Sequence, residues 1–204
     1  MKLNKIYAYT GIIPKEVKLD SINPTSRYDE IMACSSERAR KEKYCVWKLL
    51  EYGIKNALGI SINEINFEKS ENGKWLSDSF CFSISHSGDM VAVVISQYPV
   101  GIDVERMSER LERVMPRILT NNEKRSLSNI PKENILDYLC TKWTQKESIF
   151  KSMDAKAFAP SKIEAEEYKT VSCKIENENE VYCLSVCADN VENVQIINNV
   201  EYLS

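Results

Sequence analysis

An α+β fold built from two similar halves is expected for this chain, and three observations carry the expectation. Two long stretches space their apolar residues at helical intervals; each is followed by several short runs of strand character; and between them the chain breaks at Tyr98-Pro99 and starts again at Val100-Gly101. Each half would be a long helix packed on a small antiparallel sheet, in a pseudo-symmetric pair. The boundary divides an N-terminal subdomain, residues 1–99, from a C-terminal subdomain, residues 100–204.

The opening Lys5-Ile6-Tyr7-Ala8-Tyr9 crowds apolar and aromatic residues into a short run that Gly11 and Pro14 would close, so it reads as a strand. A long helix is expected over 36–58, where Val46, Leu49, Leu50, Ile54, Ala57 and Leu58 form the core stripe and Gly59 is placed to end it. Next come the segment 62–67, a turn at Glu71-Asn72-Gly73, and two strong strands at 80–85 and 90–96. Ser87-Gly88-Asp89 between them signals a hairpin. After the break, 100–105 reads as a strand and 108–119 as a helical stretch. Thr120-Asn121-Asn122-Glu123 has the spacing of a capping box, and a second long helix follows over 131–152. Strand-like runs return at 163–168, 171–175, 181–187 and 194–197.

With 27 basic and 30 acidic residues the charges nearly balance, so no global field marks a nucleic-acid or membrane-surface binder, and an anionic ligand would need a local basic cluster. The seven cysteines include no C-x-x-C and no zinc spacing with the lone His86, which fits a reducing compartment. The longest apolar run, 90–95, is too short to span a bilayer. A soluble cytoplasmic protein is expected.

Asp103 and Glu105 stand two apart on an expected strand, so both leave one face while Ile102 and Val104 point into a core. Two carboxylates side by side repel unless a cation intervenes, and magnesium, which takes oxygen ligands and keeps sites for water and phosphate, suits them. An exposed strand face answered by Arg106 and Arg110 fits the same pattern. On the second long helix Trp143, Glu147 and Lys151 recur at i, i+4, either as part of a site or as a buried Trp beside a surface ion pair. His86 ends a strand just before Gly88, where it and Ser85 could donate to phosphate oxygens or simply serve the fold. A Ser-His hydrolase pair is disfavoured, because neighbours on a strand face opposite sides. Arg38, Lys41 and Lys48 share one side of the first long helix and could grip a polyanion or form a solvated face.

The order F-S-I-S-H-S-G, V-G-I-D-V-E-R, W-T-Q-K-E-S-I-F-K, from about Asn72 to Lys151, closely resembles the 4′-phosphopantetheinyl transferase superfamily in its longer single-chain type, which activates peptide synthetases. The resemblance implies a pseudo-symmetric α+β pair with coenzyme A in the cleft. It also implies a magnesium-dependent enzyme that moves phosphopantetheine from coenzyme A to a serine of an acyl or peptidyl carrier protein, acting as a monomer. Asp103, Glu105 and Glu147 match the magnesium-binding acids. Asp103, Glu147 and Lys151 are the candidate catalytic residues, with Glu147 as general base and Glu123 as a second choice. Lys151 would meet the pyrophosphate and Lys146 takes the basic position before the third acid. Ser85 and His86 match contacts to the nucleotide end, and Gly73-Lys74 matches a turn near the adenine. Arg38, Lys41 and Lys48 are the candidates for the 3′-phosphate. The chain departs from the pattern at Trp75, where proline is usual and a Trp could stack on the adenine, and at Trp47-Lys48, where an arginine is expected. A degenerate member that binds coenzyme A or a carrier, and a metal-dependent phosphoesterase, are the alternatives.

Overall fold

The computed structural model describes residues 5–114, 117–153 and 155–203. Strand β1 (Ile6–Ile12) opens the chain, followed by α1 (Thr25–Met32) and the long helix α2 (Glu37–Leu58). The short strands β2 (Phe67–Lys69) and β3 (Trp75–Ser77) lead into β4 (Cys81–Ser87), β5 (Met90–Ser96) and β6 (Val100–Arg106). Helices α3 (Glu109–Val114), α4 (Asn121–Leu127) and α5 (Ile135–Ser152) precede β7 (Thr170–Asn177), β8 (Glu180–Ala188) and β9 (Val194–Ile197). The fold is α+β, with one long helix on a small sheet in each half.

The local signals act where expected. Ser36 accepts a hydrogen bond from the Ala39 N–H at the start of α2, and Gly59 ends that helix at φ +71°. Thr120 and Glu123 close both arms of the capping box on α4. β4 and β5 form the hairpin, with Ser87 opposite Met90.

Four layers result: α2, a four-stranded sheet in the order β4-β5-β1-β9, a three-stranded sheet in the order β6-β8-β7, and α5. β5 is buried throughout because both its faces are covered. Val91, Val93 and Ile95 pack with Val46, Leu50 and Ile54 of α2, while Met90, Ala92 and Val94 meet Ile102, Val104, Leu184 and Val186 of the second sheet. Its uninterrupted apolar run is the sequence trace of that double burial.

Several expectations need correction. Gly11 does not end β1 but lies inside it, and a Cβ there would meet the Tyr202 ring at 2.5 Å. The second long helix begins at Ile135, after a 3₁₀ turn over Lys132–Asn134. The run 163–168 is no strand: Ala165–Glu167 form a 3₁₀ turn within it, just after another over Pro160–Lys162, and Ala165 and Ile163 pack beside Ile149. Helix α1 had no forecast. β9 follows the second half in sequence yet pairs in parallel with β1, so the first sheet is mixed. Residues 115 and 116 of the expected helical stretch 108–119, and the Arg110 side chain, lie outside what is described.

Candidate functional site

The site begins with a glycine. A Cβ on Gly101 would stand 1.9 Å from the Ser148 carbonyl oxygen, so only glycine lets α5 lie so close on β6. The helix meets the sheet through the small, fully buried Cys140, Thr144 and Ser148, with Thr144 hydrogen-bonded to Ser185 at 2.7 Å. Glu147 and Lys151, one step around the helix, are thereby brought beside Asp103. The alternation of β6 does the rest: Asp103 and Glu105 leave the face that Gly101 presents to α5, while Ile102 and Val104 enter the core between the sheets.

Asp103, Glu105, Glu147, Lys151, Ser85 and His86 share the wall of one cavity of about 370 Å³. The Lys151 ammonium lies 2.6 Å from Asp103 Oδ1 and 4.0 Å from Glu147, and donates to Ser85 Oγ at 3.1 Å. Ser85 Oγ donates to Asp103 Oδ1 at 2.7 Å, and Ser87 Oγ to Glu105 Oε1 at 2.8 Å. The other Asp103 oxygen, Oδ2, is buried without a partner. Burial pushes the Glu147 carboxyl up to about 6, Lys151 opposing and Asp103 and Glu105 adding to the rise. Burial likewise raises Glu105 against its bond from Ser87, with Asp103 contributing. His86, though its side chain is 39% exposed, is held below its ordinary range by desolvation at the cavity wall, opposed by Glu42 at 3.7 Å. The cavity wall therefore holds three carboxylates and three cationic side chains, Arg27, Lys43 and Lys151, with Lys151 within 4.0 Å of both Asp103 and Glu147.

A second cavity of about 380 Å³ adjoins the first and shares Arg27 and Lys151 with it. Gly73, Lys74 and Trp75 line it, and the Lys74 ammonium donates to the Lys151 carbonyl at 2.8 Å.

Other expected site residues lie elsewhere. Lys146 points away from the cavity, fully buried, 2.6 Å from Glu123 and bonded to the Ile118 and Pro160 carbonyls. Glu123 is buried with it and does not line the cavity of Asp103. Arg38 is paired with Glu42 at 2.8 Å, Lys41 donates to the Lys15 carbonyl, and both line a separate cavity with Gly88 and Asp89. Lys48 is paired with Glu51 at 2.5 Å. The basic side chain of α2 that does reach the acidic cavity is Lys43, which falls next to Val46 and so at the margin of the core stripe.

Arg27 also lines both cavities. It is 4% exposed, its Nε has no partner, and its guanidinium lies 5.0 Å from the Trp47 ring and 5.9 Å from the Trp75 ring. Trp75 is buried and donates its indole N–H to Glu30, which also pairs with Arg27 at 3.2 Å. The two tryptophans at the departures from the family pattern are thus the faces between which Arg27 is held. Pro24-Thr25 ahead of Tyr28 and Ile31 is the helix-start signal that would have found it.

Among the described residues, the carboxylates whose oxygens converge within 4.8 Å are Glu123, Glu164 and Glu166. The ammonium groups of Lys146 and Lys142 are paired with Glu123 and Glu166 in that cluster. No described helix is long and apolar enough to cross a membrane.

Residues 99–196 match the model of the 4′-phosphopantetheinyl transferase superfamily. Over 104 residues the chain is 35% identical to the 4′-phosphopantetheinyl transferase gsp of Aneurinibacillus migulanus, covering 50% of this chain and 44% of that one. It is 31% identical over 106 residues to the transferase psf-1 of Bacillus pumilus, covering 50% and 46%, and 32% over 93 residues to Sfp of Bacillus subtilis strain 168, covering 44% and 41%. The chain thus spans less than half the length of the curated relatives it matches. The matched stretch carries β6 with Asp103 and Glu105, and α5 with Glu147 and Lys151, and it is through this part that the chain is similar to the 4′-phosphopantetheinyl transferase superfamily.

Proposed function

We propose that the chain transfers the 4′-phosphopantetheine arm of coenzyme A to a serine of an acyl or peptidyl carrier protein, releasing adenosine 3′,5′-bisphosphate. The observation that carries the reading is the meeting of Asp103, Glu105, Glu147 and Lys151 in one cavity, joined through Arg27 to a second that is large enough for part of a nucleotide. Asp103, Glu105 and Glu147 are the proposed holders of a magnesium ion. A buried carboxylate oxygen without a partner on Asp103, beside two carboxyls whose pKa is raised, suits a hard divalent cation. Bound there, the ion would neutralise diphosphate charge and polarise the phosphorus under attack.

The chain's own groups account for the proton and the leaving group. The carrier serine attacks the phosphorus that bears the pantetheine arm, and the bond from that phosphorus to the bridging oxygen of the diphosphate breaks. Glu147, whose carboxyl burial pushes up to about 6 in the metal-free protein, is the proposed acceptor of the serine proton. Lys151, at the junction of the two cavities, meets the negative charge that grows on the departing nucleotide. Arg27 and Lys43 supply further positive charge along the walls. The chain is proposed to divide near Tyr98 into two subdomains with coenzyme A between them, and to act as a monomer in the cytoplasm, where its seven unpaired cysteines stay reduced.

The test is mass spectrometry of a panel of apo carrier proteins incubated with the chain, coenzyme A and magnesium. A gain of one phosphopantetheine that disappears with chelator, and with Asp103→Ala or Glu147→Ala, supports the transfer. No gain on any carrier, with coenzyme A still bound, supports a binding module instead.

A further inference from the structure

β4 is one edge of the first sheet and β6 one edge of the second, and they lie side by side without a backbone ladder between them. The N–H groups that β6 turns away from β8 would be left bare. Three serines of F-S-I-S-H-S meet them instead. Ser83, Ser85 and Ser87 accept from the N–H groups of Ile102, Val104 and Arg106 at 3.2, 3.3 and 3.1 Å, each 19 residues on. Ser85 and Ser87 then donate to Asp103 and Glu105, each 18 residues on. Ser83 has no such acceptor, because the corresponding residue is Gly101.

A hydroxyl has one proton and two lone pairs. Once a fixed backbone N–H occupies one lone pair, the direction of the proton is constrained, and here it goes to the acid. Ser85 uses its full capacity, accepting from Val104 and Lys151 and donating to Asp103. One oxygen of each carboxylate is tied to the first sheet, and the second oxygen of Asp103, Oδ2, is buried without a partner.

We propose that Ser87 is a positioning residue for Glu105 and Ser85 for Asp103. The serine seam that joins the two sheets aims the acid pair at a divalent cation before any cation arrives. This assigns Ser85 a task directed at Asp103, where the family resemblance implied one directed at the nucleotide. The inference rests on the reading of Asp103, Glu105 and Glu147 as a cation site.

Mn²⁺ alone is a suitable probe, titrated into the full chain without coenzyme A or carrier and followed by loss of the free-ion paramagnetic resonance signal. Ser87→Ala should raise the Mn²⁺ dissociation constant on the order of 10–100-fold, the usual effect of removing an outer-shell partner of a ligand. Ser87→Thr keeps the hydroxyl and should restore it. Ser83→Ala bares the same kind of N–H but touches no acid, so it should lower the melting temperature as Ser87→Ala does and leave Mn²⁺ affinity at the wild-type value. Equal Mn²⁺ affinity in wild type and Ser87→Ala overturns the positioning role. An equal loss in Ser83→Ala also overturns it, since general stiffness of the seam would then be the cause. A wild-type chain that binds no Mn²⁺ removes the cation site itself, and the positioning role with it.

Discussion

At the scale of single residues, the acidic cavity trades stability for chemistry. Glu147 is held at about 6 rather than 4.5, with its side chain 19% exposed, so its ionised form is disfavoured in the folded state relative to the unfolded one. The sign follows from the raised value: below 4.5 the carboxyl is neutral in both states and carries no penalty, and the penalty grows as pH rises to 6. In metal-free protein, Glu147→Gln should therefore match the wild type in acid and exceed it by about 2 kcal/mol above pH 6. Denaturant melts at pH 4 and pH 7.5 check this, and equal stabilities at the higher pH would refute it. Arg27 offers a second test. Arg27→Met should weaken binding of adenosine 3′,5′-bisphosphate about tenfold or more, given ~1.5–3 kcal/mol for a hydrogen bond to a charged group. Calorimetry showing unchanged affinity would remove Arg27 from the binding wall.

At the scale of elements, close packing of α5 is what assembles the site, and its two sides make different demands. Gly101→Ala forces a methyl into the Ser148 carbonyl and the Ser152 nitrogen, 1.9 and 2.6 Å away, and should cost about 3 kcal/mol or more in the denaturant midpoint. On the far side, Lys146→Met leaves Glu123 buried beside no ammonium, a loss of roughly 3–5 kcal/mol, whereas Lys146→Met with Glu123→Gln, which removes the charge and keeps an acceptor for the Thr120 N–H, should recover most of it. A double variant no more stable than the single would show that the buried pair is not the source. These two faces also explain what could be read in advance. The bounds of α2, the β4–β5 hairpin, the capping box and the shared face of Asp103 and Glu105 follow from periods and caps within one segment. Periodicity gives a residue's angle on its own helix but not what lies opposite. Lys146 is one residue from Glu147, turned by about 100°, and only the arrival of Glu123 from α4 decides its place. Lys43 was illegible for the same reason, since its role depends on β6 and α5, far along the chain, whereas Arg27 sits on a helix whose start is marked at Pro24-Thr25. The run 163–168 misled because its alternating Ile163 and Ala165 mimic a strand, though both only cover Ile149.

At the scale of the whole molecule, the end of the chain returns to its beginning, which bears on whether the two halves are separate folding units. β9 lies beside β1, with Ile6 opposite Val194 and Tyr9 opposite Ile197. Beyond it, the Val200 N–H bonds to the Thr10 carbonyl at 2.9 Å, and the Tyr202 hydroxyl donates to the Ile12 carbonyl at 3.1 Å. The Tyr202 ring, 6% exposed, covers Gly11 within the core beneath α2. The first sheet thus lacks a strand and an aromatic plug until the second half has been made, and the serine seam adds a further tie between the sheets. One cooperative transition is the expected consequence. Trp47 and Trp75 report on the first half and Trp143 on the second, so Trp75→Phe with Trp47→Phe and, separately, Trp143→Phe isolate the signals. Both fluorescence midpoints should coincide with that of far-ultraviolet circular dichroism in urea, and a chain ending at Asp189 should lose the first-half transition as well as β9. Two separated midpoints, or a native first half in the shortened chain, would mean that the halves fold independently and that the returning strand is an accessory.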